Sequence, residues 1–210
     1  MVAAERAQPV RAGRTPAFTP IGTVLALAVI GILVLAAGQA WASVVYPVAA
    51  GSFSTVLGET APCSSADVDI DDESTECYVA PFAEGNEVGI GFTVRNDAPI
   101  GMTILSAQII RDGVLTPAVL EPQLLRSEGW MFGLSEGVPF EPVEVPAGGE
   151  VGIQFVGAFG DCETVAEDWS PGSGLVVGDA FMTVRWGVFT TQVQVPAPAS
   201  LALEAPTSCP

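Results

Sequence analysis

The sequence contains no histidine and no lysine. Its seven basic residues are all arginine: Arg6, Arg11, Arg14, Arg95, Arg111, Arg126 and Arg185. Without imidazole there is no Ser-His-Asp or Cys-His unit and no histidine metal ligand. Without lysine there is no Schiff base and no P-loop amine. Chemistry on this chain would have to use Asp, Glu, Tyr, Ser, Cys and Arg alone, so no enzyme activity and no catalytic residue is expected. Also missing are an internal repeat of fixed period and, past residue 50, a convincing helical pattern.

The charge that is present is one-sided. There are 24 acids against 7 bases, a formal charge of −17. Residues 1–20 are net basic, with three Arg and one Glu, and residues 51–210 hold 23 acids against four Arg. Nucleic-acid binding rests on basic residues that neutralise phosphates, so no nucleic-acid partner is expected. The plain reading of the acidity is solubility.

The one long apolar run is IGTVLALAVIGILVLAAG, Ile21 to Gly38, with no charge in it. Extension to Tyr46 adds Trp41 and Tyr46 where an aromatic belt belongs. The predicted organisation is a disordered cytoplasmic tail over 1–20 and a transmembrane signal anchor over 21–46. A linker with an acidic loop follows over 47–76, then an extracytoplasmic domain over 77–210. Arg6, Arg11 and Arg14 precede the run, so the positive-inside rule puts the N-terminus in the cytoplasm and the protein in the cell membrane as a single-pass protein. The competing reading is a signal peptide cleaved at Ala40-Trp41-Ala42, giving a secreted protein. The partners expected are the membrane, through one helix, and another envelope or membrane protein.

The four cysteines, Cys63, Cys77, Cys162 and Cys209, all follow the apolar run. An even count in an exported domain reads as two disulfides, with three possible pairings. Cys63–Cys77 and Cys162–Cys209 are favoured; the second ties the C-terminal tail to the body. A zinc site lacks both a CxxC pair and histidine.

The rest reads as all-β. EVGIGFTV, Glu87 to Val94, alternates through Val88, Ile90, Phe92 and Val94. EVGIQFVGAF, Glu150 to Phe159, alternates again, and AFMTVRWG with VFTTQVQV forms a hairpin around Gly187. CYVAPF and SLALEA are read as edge strands and SFSTVL as a weaker one. About seven short strands between Gly/Pro turns suit an antiparallel Ig-like β-sandwich preceded by one transmembrane helix.

Three clusters stand out as sites. Asp67, Asp69 and Asp71 begin like an EF-hand loop, but Asp72 stands where its glycine belongs and Tyr78 where its glutamate belongs. They are the candidate for weak Ca²⁺ binding, against a solvated, disulfide-closed loop. Trp130, Met131, Phe132 and Leu134 either cap the core or meet a partner. Glu163, Glu167, Asp168 and Trp169 set carboxylates beside an aromatic, which acidic surfaces do by chance.

FTVRNDAPIGMTILSAQII, with Arg95-Asn96, and FEPVEVPAGGEVGIQFVGAF, with Pro146 to Glu150, resemble bacterial Ig-like domains of the Hydin-type and cell-adhesion-related kind. The layout is also similar to that of uncharacterised actinobacterial single-pass membrane proteins. The resemblance implies a membrane-anchored extracytoplasmic module with a non-enzymatic binding or structural role. Ca²⁺-dependent binding through residues 67–76 is the alternative.

Overall fold

The computed structural model describes residues 20–44, 48–63, 76–125 and 137–210. The chain divides into two compact units, Met1–Gly38 and Gln39–Pro210.

Helix α1 is Pro20–Val44, 25 residues long. Its side chains are described at 24–38 and at Ala40. The apolar ones stand open, with Val24 67% and Ile32 65% exposed. Among the described residues no helix is long and apolar enough to cross a membrane. The expected signal anchor is corrected on that ground. The membrane partner, the single-pass topology with a cytoplasmic N-terminus, the cell-membrane localisation and the likeness to anchored membrane proteins fall with it.

Past α1, the described residues of the second unit form eleven strands and one short helix. Five strands form one sheet in the order β1 (Val48–Leu57), β4 (Glu87–Asn96), β9 (Glu150–Phe159), β6 (Ala118–Leu124), β7 (Val138–Pro139). Six form the other: β2 (Ala61–Pro62), β3 (Glu76–Ala80), β11 (Phe189–Glu204), β10 (Gly174–Trp186), β5 (Met102–Gln108), β8 (Val143–Val145). Every pair in the first sheet is antiparallel. In the second, β11 runs parallel to β3 from Ala199↔Glu76 to Leu203↔Ala80. The fold is therefore all-β with two sheets, but the expectation of a purely antiparallel sandwich is corrected by this mixed sheet. The weakly read SFSTVL lies in a ten-residue strand, β1, paired along β4.

Alternation explains the core. Val88, Ile90, Phe92 and Val94 of β4 and Ile153 and Phe155 of β9 point inward from one sheet. Met102, Ile104, Met182, Val184, Trp186, Val193, Val195 and Leu201 meet them from the other. Phe92 and Phe155 pack at 6.3 Å between centroids, tilted by 34°. Fully burying one such side chain stabilises by about 1.5–3 kcal/mol.

Asn96, at the end of β4, is wholly buried and joins the two sheets. Its Nδ2 donates to the carbonyls of Ile100 (2.9 Å), Val145 (3.1 Å) and Pro146 (3.2 Å), and its Oδ1 accepts from the Ala98 N–H at 3.0 Å. Two backbone bonds flank it, Asn96 N–H to Gly149 O and Gly148 N–H to Asn96 O. Gly148 adopts φ 68°, the left-handed turn position that favours glycine. At the opposite end of the strands, Cys162 is bonded to Cys209, and Cys63, just past β2, to Cys77 within β3. There is no free cysteine.

Candidate functional site

The two sheets present unlike outer faces. That of the five-stranded sheet is closed along its middle. Thr93 is 1% and Gln154 5% exposed, although both point away from the core. Glycines let the cover come close: a Cβ on Gly91 would press on Gln154 and Thr55, and one on Gly152 would press on Leu125. Gln154 Nε2 donates to Gln123 Oε1 at 2.8 Å. A closed face of this kind leaves little for a ligand to touch.

The outer face of the six-stranded sheet is open. Register sets its side chains in rows across β5, β10 and β11. Gln108, Phe181 and Gln194 form one row, and Ser106, Thr183 and Gln192 the next. An irregularity in β5 near Leu105 shifts the pairing between Thr183 and Val184, which keeps both Ser106 and Ile104 on their proper faces. Asp179, paired with Pro196, ends the face, and its Oδ2 accepts from Gln194 Nε2 at 2.8 Å. The rows line an open groove of about 950 Å³, at the upper end of the range for ligand sites, about 300–1,000 Å³.

Arg111 and Asp112 border the same groove. They sit in a turn closed by the Val114 N–H to Arg111 O bond, with Gly113 at φ 81°. The guanidinium of Arg111 lies over the Phe181 ring, 4.3 Å from its centroid. Such a stack is worth about 0.5–1 kcal/mol at an exposed site and orders an otherwise loose side chain. Among the described residues no carboxylate lies within ion-pair distance of Arg111. The guanidinium therefore borders the groove without an ion-pair partner among the described residues.

Arg95 behaves differently. It pairs with Asp97, Nε to Oδ1 at 2.6 Å, on the surface. That hydrogen bond holds the Asp97 carboxyl below its ordinary value. The pair is more than two-fifths exposed on both sides, so it contributes little to stability.

Of the sites read from sequence, Asp67, Asp69 and Asp71 lie outside the described residues, as do Trp130, Met131, Phe132 and Leu134. Among the described residues no three His, Cys, Asp or Glu side chains gather as a metal site. Glu163, Glu167 and Asp168 lie on a helix, α2 (Cys162–Asp168), with all three side chains open to solvent. Asp161 caps it: its carboxylate accepts from the Thr164 N–H at 3.0 Å and from the Thr164 hydroxyl at 3.1 Å. Those bonds, the backbone one foremost, hold the Asp161 carboxyl below its ordinary value.

No protein-family model and no curated protein matches the chain. The expected likeness to bacterial Ig-like modules is therefore cut back to an all-β domain with two sheets and disulfides. The open face of the six-stranded sheet was not legible as a site in the sequence. Gln108, Phe181 and Gln194 come from three distant segments and carry no motif.

Proposed function

We propose that this protein is a non-enzymatic binding module whose ligand lies across β5, β10 and β11. The observation that carries the reading is the contrast of the outer faces: one closed over buried Thr93 and Gln154, the other open and lined by rows of polar side chains. The rows stand on central strands of a sheet, and rigid elements place ligand groups more accurately than loops do. The groove offers the hydroxyls of Ser106 and Thr183, and the chain has no imidazole or lysine amine to activate them. Two disulfides suit such a module to an oxidising environment.

Hydrogen exchange of the full-length chain against a panel of short peptides, neutral glycans and polyanions tests the reading. A non-ionic polyoxyethylene detergent, which carries no sugar, would shield the open apolar side chains of α1. A ligand that slows exchange in the segments bordering the groove, 106–114 and 179–196, supports the reading. Protection confined to other strands, or catalytic turnover of any panel member, sinks it.

A further inference from the structure

We infer that the groove takes a neutral oligosaccharide, a proposal that rests on the reading above and names its ligand. Three other ligand classes fit the groove poorly. A peptide adding itself as a strand would pair with the outer edge of β5 beyond Ile104 or of β11 before Ala199, and would so lie beside the groove rather than across its face. A peptide or lipid anchored by apolar side chains needs an apolar pocket. The aromatic ring of this groove, Phe181, is capped by the Arg111 guanidinium. A polyanion meets two carboxylates, Asp112 and Asp179, against one guanidinium, in a chain of net charge −17.

What remains is a ligand that is uncharged, polar throughout, and both donor and acceptor at closely spaced points. Sugar hydroxyls have that character. The groove answers them in kind. Arg111 presents in-plane N–H donors, Asp112 paired acceptor oxygens, Gln108 and Gln192 both a donor and an acceptor, and the bonded Gln194–Asp179 pair its remaining N–H and oxygen sites. Planar groups of this sort bind two neighbouring hydroxyls at once. The Arg111–Phe181 stack fixes the strongest donor before the ligand arrives, which lowers the entropic cost of binding. Strands about 4.8 Å apart put roughly 10 Å between the outer strands β5 and β11, and the face runs about 13 Å from Asp179 to Thr183. That area suits about two or three sugar rings in a row.

Electrophoresis of the full-length chain in native gels cast with a soluble β-glucan, a galactomannan or dextran tests the inference, with polygalacturonate as the charged control. The expected result is retardation by at least one neutral glycan. Arg111→Ala and, separately, Gln192→Ala should weaken it at least tenfold, with melting temperatures within 2 °C of the parent. Val119→Thr, on the other sheet, should leave it unchanged. Absence of retardation by all three neutral glycans, retardation by polygalacturonate alone, or retardation unaffected by both groove substitutions overturns the inference. If a peptide protects 106–114 and 179–196 in the exchange experiment while no glycan retards the chain, the binding reading stands and the glycan inference falls.

Discussion

Replacing Asn96 should damage this fold more than replacing any other single polar residue described. One side chain satisfies the Val145 carbonyl and the Ala98 N–H, both in residues no more than 3% exposed. It also reaches the carbonyls of Ile100 and Pro146, which lie near solvent and can find water. Asn96→Ala leaves two buried groups unpaired at about 1–3 kcal/mol each, so the loss should be about 2–6 kcal/mol. Against a typical domain stability of about 5–15 kcal/mol, that is a large fraction. The assay is urea denaturation with both disulfides intact, comparing midpoints at unchanged slope. Asn96→Asp sharpens the test. A carboxylate there would face carbonyl oxygens in a buried site, so its pKa would rise on folding. A group of that kind favours the fold below its unfolded pKa of about 3.9 and loses that contribution as pH rises through the folded value. The gap between parent and Asn96→Asp should therefore widen from pH 4 to pH 7. A loss under 1 kcal/mol for Asn96→Ala, or a gap for Asn96→Asp that narrows with pH, refutes the reasoning.

Other consequences follow from single contacts. Trp186 is 1% exposed and its Nε1 has no partner among the described residues. Trp186→Phe should thus cost little, about 1 kcal/mol or less, because removing an unpaired buried donor offsets lost packing. Trp186→Ala should cost about 3–5 kcal/mol, and near-equal losses in the two variants would contradict the account. The disulfides close loops of separation 14 and 47. The chain-entropy relation gives about 3 and about 4 kcal/mol, so the Cys162–Cys209 double serine variant should melt lower than the Cys63–Cys77 one; the reverse order would show that native-state contacts dominate. Asp161 holds a lowered pKa, so its cap stabilises α2 above the unfolded pKa of about 3.9 and fades as pH falls through the folded value. The melting gap between parent and Asp161→Ala should close between pH 5 and pH 2, and a gap that persists at pH 2 would place the effect elsewhere.

The parts of the fold legible in the sequence are those where one local rule decides. Alternation marked β4 and β9, and the hairpin around Gly187 marked β10 and β11, because period-two patterning is local. Helix α2 shows in the sequence only as carboxylates beside an aromatic, Glu163, Glu167, Asp168 and Trp169. Seven residues are too few to show a helical period, and the signal present was Asp161 three residues before Thr164, a cap. The parallel β3–β11 pairing has no local mark at all, since it joins residues more than a hundred positions apart.

The site was hidden for a related reason, and the glycines show it. In β4 the positions between the core residues are Gly89, Gly91 and Thr93, which the alternation rule assigns to solvent. The structure buries all three. A Cβ on Gly89 would press on the Phe155 carbonyl and on Leu57, and one on Gly157 would drive into the Val119 carbonyl, so neighbours pack directly on this backbone. Glycine there serves close approach, and the face so formed is spent on the protein's own side chains. In β10 and β11 the corresponding positions are Phe181, Thr183, Gln192 and Gln194, each with a side chain where β4 has glycine, and they remain accessible. The same period-two pattern thus produces one face that is used up and one that is free. The residue sizes at the outward positions, compared between sheets, separate the two. That comparison needs to know which strands are neighbours, and only the three-dimensional pairing of β5, β10 and β11 supplies it.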